Sequence, residues 1–346
     1  MRAPLAALAA LVLTAGPASA EPAVADVCAL TSPKLAELSG LGSSGDEWFA
    51  VNDSDTGRVE VQVLNRSCGV TRTITAPANP YDVEDLALAP DGTVWLADTG
   101  DNGKTRETVA LHAIAPDGTS RLFRLTYPDG KHDAEALLLD ARGVPHIVTK
   151  EPIGSALVYR PTADLSDAAP TPLEQVARVS MRGTDTPGGP LESTVVTRLV
   201  TGGAMSHDGR VAALRTYTDA YLFPVPDDGD LAKALGSDPV RVPLPNEPQG
   251  EAIAFDPDGT LLSATEFAPD AARSTIRAVT GAAALAAPAP TTTTPPPPQG
   301  TGDTAASPAP AADSSDIPPW AVIAAGAAAL ALIGLGIRRS RNRRQS

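Results

Sequence analysis

The chain holds little of what most catalytic sites are built from. Its 346 residues include four histidines and two cysteines, and only 4% are aromatic. The histidines, at positions 112, 132, 146 and 207, show no metal-ligand spacing, and neither HExxH nor GxSxG occurs. A zinc hydrolase or a nucleophile-elbow enzyme therefore has no basis in the sequence, since each needs its groups at fixed intervals. CxxC is absent too, which removes the usual thiol redox motif. Cys28 and Cys68 lie in a part expected to be exported, where a lone pair is expected to close as one disulfide. The loop between them corresponds to roughly 4 kcal/mol in chain-entropy terms.

Positive charge is also scarce in the body of the chain. All 41 acidic residues lie between positions 21 and 316, with only 21 of the 27 basic ones, so this part carries a net −20. Such a surface repels nucleic acid and anionic lipid and favours cations or basic partners. No nucleic-acid role is expected.

The two ends read as an address. Residues 1–20, "MRAPLAALAALVLTAGPASA", hold one basic residue, an apolar run and a final Ala-Ser-Ala, the pattern of a signal peptide. Residues 317–337 include "WAVIAAGAAALALIGLGI", uncharged for 18 positions and bounded by Trp320, and a basic tail follows at 338–346. That length and those flanks predict one C-terminal transmembrane helix with the tail inside the cell and the N-terminal head outside. Between them, 281–316 loses its aromatic and β-branched aliphatic residues to Pro, Thr, Ala and Ser. This composition predicts an extended, disordered stalk that lifts the head off the membrane.

The remaining 21–280 is repetitive. Five stretches share one plan, "ELSGLGSSGDEWFAVND", "EDLALAPDGTVWLADTG", "EALLLDARGVPHIVTKE", "TGGAMSHDGRVAALRTY" and "EAIAFDPDGTLLSATEF". Each first residue (Glu37, Glu84, Glu135, Thr201, Glu251) lies eight before a turn glycine, and the starts are 47, 51, 66 and 50 residues apart. Two strand-length runs about a glycine turn predict a hairpin, and four strands per such interval predict an all-β propeller. Five blades are counted and six stay open. The long interval predicts an insertion near "SMRGTDTPGGPLES", and residues 22–36 are expected to supply the missing outer strand. "DLAKALG" reads as at most one or two helical turns.

Local look-alikes fail on context. Gly103-Lys104-Thr105 lacks the P-loop's first glycine, Asp98 onward lacks the EF-hand ligand at its twelfth position, and Gly40-x-Gly42-x-x-Gly45 leads into a strand. A hairpin instead returns the residues after the turn to the residue that opened it. One channel mouth should therefore gather Glu37, Glu84, Glu135, Glu251 and Glu266 as candidate metal ligands. Asp98, Asp101, Lys150 and Arg215 are expected there as candidate ligand-binding groups. Converging carboxylates need a cation, a base or protons, and oxygen donors suit Ca²⁺. The same glutamates could instead hold backbone N–H groups of neighbouring blades and close the ring.

These segments, with "DVEDLALAPDGTVWLADTGDN" and "QGEAIAFDPDG" among them, resemble exported bacterial β-propeller proteins, with blades similar to NHL-type and esterase-like phytase propellers. The resemblance covers most of residues 35–266. It implies a propeller, and through the phytase-like members a calcium-dependent phosphoesterase or other esterase as the alternative to a binding or scaffold module for an extracellular ligand or protein. Such an esterase also needs basic groups for phosphate, and only Lys150 and Arg215, with Arg106 and Lys104 nearby, are available.

Overall fold

The computed structural model describes residues 22–53, 57–268 and 271–287. The first strand, β1 (Val24–Leu30), belongs to the last sheet. Sheet one follows, with β2 (Leu38–Ser43), β3 (Trp48–Asn52), β4 (Val59–Leu64) and β5 (Val70–Ala76). Sheet two is β6 (Val83–Leu88), β7 (Val94–Asp98), β8 (Val109–Ile114) and β9 (Ser120–Thr126). Sheet three is β10 (Ala134–Leu139), β11 (Pro145–Thr149), β12 (Ala156–Pro161) and β13 (Thr171–Val179). Sheet four is β14 (Val200–Met205), β15 (Val211–Thr216), β16 (Asp219–Pro224) and β17 (Val240–Pro243). Sheet five is β18 (Gly250–Phe255), β19 (Leu261–Thr265) and β20 (Ser274–Val279), completed on its outside by β1.

Each innermost strand packs on the innermost strands of both neighbours, and β18 returns to β2, so the five sheets form a closed ring. This is a five-bladed propeller, closed by the N-terminal strand as the sequence predicts. Cys28 on β1 bonds Cys68 in the β4–β5 turn, tying the closing strand to blade one. A short parallel pairing of β13 with β9 joins blades two and three. The predicted insertion is real and occupies 180–199 between β13 and β14, pinned to blade four by Thr184 and Thr186 hydroxyls donating to buried Asp219. "DLAKALG" forms one short helix, α1 (Leu231–Leu235).

Five strands meeting at an axis leave no room for large side chains, which explains Gly40, Gly202 and Gly203 there. A Cβ at Gly40 would lie 2.5 Å from the Leu86 nitrogen. Asp85 fills the axis instead, fully buried, and accepts N–H bonds from Leu86, Leu137 and Gly203 at 2.8, 2.8 and 3.0 Å. One carboxylate thus joins blades two, three and four. Below it, at the hairpin-turn end, an apolar funnel of about 480 Å³ is lined by Leu41, Leu86, Leu137 and Phe255 among others.

A second short helix, α2 (Ala282–Ala286), packs at that same end, where Ala283 donates to the Gly259 carbonyl. Ala282 and Ala286 are buried, so the head's packing runs past residue 281, where the stalk is expected to begin. The expected signal peptide, most of the stalk and the expected membrane helix lie outside the described residues. Among the described residues no helix is long and apolar enough to cross a membrane.

Candidate metal centre

Every innermost strand carries a β-bulge near its start, falling on Ser39, Glu84, Glu135, Thr201 and Glu251. A bulge re-aims the extra residue, and here it lifts one side chain per blade towards the mouth. Where that residue is a hydroxyl, it closes the ring: Ser39 donates to the Val83 carbonyl and Thr201 to the Gly250 carbonyl, both at 2.8 Å. Thr99 does the same from blade two to the Ala134 carbonyl at 2.7 Å. The blades are therefore clasped by hydroxyls, and Glu84 is left out of the clasp. Its side chain is only 8% exposed and makes no hydrogen bond or ion pair among the described residues.

Two groups of carboxylates meet at Glu84. Asp53, Asp82 and Glu84 each place an oxygen within 4.8 Å of the others, and so do Glu84, Asp133 and Glu135. Calcium–oxygen distances of about 2.3–2.6 Å put ligands on opposite sides of one ion roughly 5 Å apart, so either group fits an ion at its centre. Burial, then the neighbouring carboxylates, push Asp53 and Glu84 well above the usual carboxylate range. Burial lifts Glu135 to about 7 against the opposing pull of Lys150. Glu266 reaches about 8 through burial and the charge of Glu37. Among the described residues, Asp53 Oδ1 is buried with no hydrogen-bond partner.

Gly100 belongs to this centre through what it lacks. A Cβ there would lie 2.1 Å from Glu84 Oε1 and 2.6 Å from Asp82 Oδ2. The loop can approach the carboxylates only as glycine.

Of the expected metal ligands, Glu84 and Glu135 stand in these groups, and Glu251 and Glu266 face Lys150 across the mouth. Glu37 is in neither group. Its carbonyl accepts the Asp53 N–H as the Asp82 carbonyl accepts Gly100 and the Asp133 carbonyl accepts Lys150. So Glu37 matches Asp82 and Asp133, and Ser39 matches Glu84. The reason is the first hairpin: Ser44 pairs with Glu47, whereas Ala89 pairs with Thr93, so Gly45 comes two residues early in its turn. Counting back from the glycine overshoots by two.

The expected ligand-binding residues divide. Lys150 is in the mouth, with Nζ 2.5 Å from Glu135 Oε1 and 5.0 Å from the centre of the Tyr217 ring. Arg215 is not at the surface of it: it is fully buried, paired to Glu247 at 2.6 Å, and donates to Ser263 Oγ and the carbonyls of Ala252 and Ala264. Gly250 makes room for it, since a Cβ there would lie 1.7 Å from the guanidinium. Arg215 braces blades four and five. Asp98 accepts the Tyr81 and Asp82 N–H groups and pairs with Arg106 and His112, so it sets the strand that presents Asp82. Asp101 caps its own turn through the Thr105 and Arg106 N–H groups, and its N–H donates to Asp133 at 2.7 Å. Both are positioning residues one step behind the carboxylates.

Asp53 is among the residues the first hairpin returns towards Glu37, whereas Asp82 and Asp133 lie outside those the repeat picks out. The signal for the last two was present as acid-x-Glu, Asp82-Val83-Glu84 and Asp133-Ala134-Glu135.

No family model matches the chain, and no curated protein matches it. Solved structures similar to it are β-propeller proteins. Virginiamycin B lyase from Staphylococcus aureus is 12% identical, with 71% of this chain and 67% of that chain covered and a TM-score of 0.36. The PQQ-bound aldose sugar dehydrogenase from Streptomyces coelicolor is 10% identical over 75% and 98%, with a TM-score of 0.41. A glucose dehydrogenase is 13% identical over 75% and 99%, also at 0.41. Their activities carry nothing over to this chain at that distance, and the blade count rests on its own sheet order.

Proposed function

We propose that the chain is an extracellular, membrane-tethered propeller that binds Ca²⁺ at its acidic mouth and uses that mouth to hold an extracellular ligand or protein. One observation carries this reading: Glu84 is buried, has no donor among the described residues, and is shared by two carboxylate groups of ion-binding size. An all-oxygen donor set selects a hard divalent cation. The tether rests on residues 1–20 and 317–337. The last described residues, in α2, pack at the turn end of the ring, the end opposite the acidic mouth.

A binding role is favoured over phosphoester hydrolysis by the state of the basic groups. Lys150 is committed to Glu135, Arg106 to Asp98, Lys104 to Glu151, and Arg215 is sealed inside. None is left to grip a phosphate as a paired cation-and-metal site would.

Calorimetric titration of the metal-free, full-length chain with CaCl₂ tests the proposal. A saturable heat that weakens at least about tenfold, or 1.4 kcal/mol, in Glu84→Gln is expected. No heat, or the same affinity in the variant, would overturn it.

A further inference from the structure

The two carboxylate groups at the mouth are equal in size but not in surroundings. Given the Ca²⁺ binding already proposed, on which this inference rests, that difference sets how many ions the mouth can take. Asp53 and Glu84 have only other carboxylates as their leading charged neighbours, Asp82 among them. Asp133, Glu135, Glu251 and Glu266 all have Lys150 among theirs. The ammonium is itself buried, at 8% exposure, hydrogen-bonded to Glu135 and seated against the Tyr217 ring.

We infer that Lys150 is a resident cation: its ammonium occupies the Glu135 side of the cluster, so the mouth takes one divalent ion, on the Asp53–Asp82–Glu84 side, and not two. An ion centred in the Glu84–Asp133–Glu135 group would have to share the Glu135 carboxylate with the Nζ already bonded to it. It would also stand beside a like charge in a site that solvent screens poorly. Glu84 cannot be claimed from both sides at equal strength, and the side without an ammonium wins it. Lysine suits the role because it is a compact point charge on a flexible stem, able to sit where an ion would.

The count of bound ions is the readout, by equilibrium dialysis of the full-length chain against Ca²⁺ at saturation. One ion per chain is expected for the wild type, one for Lys150→Arg, and two for Lys150→Met, which vacates the second group. Two ions in the wild type, or one in Lys150→Met with the wild type also at one, overturns the inference and leaves cation binding standing. No ion in the wild type overturns both. Should Lys150→Met fail to fold, an anomalous map from Mn²⁺-soaked wild-type crystals decides. A single peak among Asp53, Asp82 and Glu84 is expected, and a peak against the Glu135 carboxylate contradicts the inference.

Discussion

Glu84 is held where a carboxylate is least stable, buried among like charges and without a hydrogen-bond donor among the described residues, while the hydroxyls of Ser39 and Thr201 at the same bulge do the work of joining blades. The two roles predict opposite outcomes for one substitution. If Glu84 serves an ion, Glu84→Gln removes a buried, unpaired charge and stabilises the metal-free protein by about 1–3 kcal/mol, a few degrees in Tm. A clasping glutamate would lose stability by a similar amount. Urea denaturation in EDTA separates the two. Gly100→Ala is expected to act on the ion alone, because its Cβ would land on Glu84 and Asp82. Calcium affinity should fall by about tenfold, equivalent to 1.4 kcal/mol, in a titration against the wild type.

At the level of strands, the innermost strand of each blade carries both the architecture and the site. The repeat made its hairpins legible, because an Asp-Gly or similar turn between two apolar runs has few alternatives. The bulge that aims Glu84 and Glu135 was not legible, since a bulge leaves no residue signature beyond the pair it displaces. Blade one shows the limit most plainly: its shorter turn moved Gly45 and made Glu37 look equivalent to Glu84, when backbone pairing makes Ser39 its counterpart. Arg215 was misplaced for a related reason, because a residue near the mouth in sequence can turn sideways between blades when a glycine such as Gly250 admits it. Asp85 follows Glu84 and points down the axis, and its burial depends on three N–H groups from three blades. Asp85→Ala would leave those donors without an acceptor and should cost at least about 3 kcal/mol by urea denaturation. Replacing Cys28 and Cys68 together by Ser frees the closing strand and should cost up to roughly 4 kcal/mol.

At the scale of the whole molecule, the acidic mouth couples stability to both protons and cations. Carboxyls raised in the folded state, Glu135 to about 7 and Glu266 to about 8, bind protons that the unfolded chain has already released at those pH values. Their contribution is complete below about pH 4.5 and is lost as pH rises towards 8. Groups held low, such as Asp98 and Asp256, act in the opposite direction, but only as pH falls below the ordinary carboxylate range. The metal-free protein should therefore melt at a lower temperature at pH 8 than at pH 5.5. A cation on the Asp53–Asp82–Glu84 side takes the place of the protons on Asp53 and Glu84, which burial also raises, and so lessens that slope. The most direct measurement is the thermal midpoint of the full-length chain at pH 8 in EDTA and in Ca²⁺ at a hundredfold excess over its Kd, for the wild type and Glu84→Gln. The account predicts a rise equivalent to about 2.7 kcal/mol in the wild type and about 1.4 kcal/mol or less in the variant, whose affinity is at least tenfold weaker. Equal midpoints in EDTA and calcium for the wild type, or the same rise in Glu84→Gln, would contradict it.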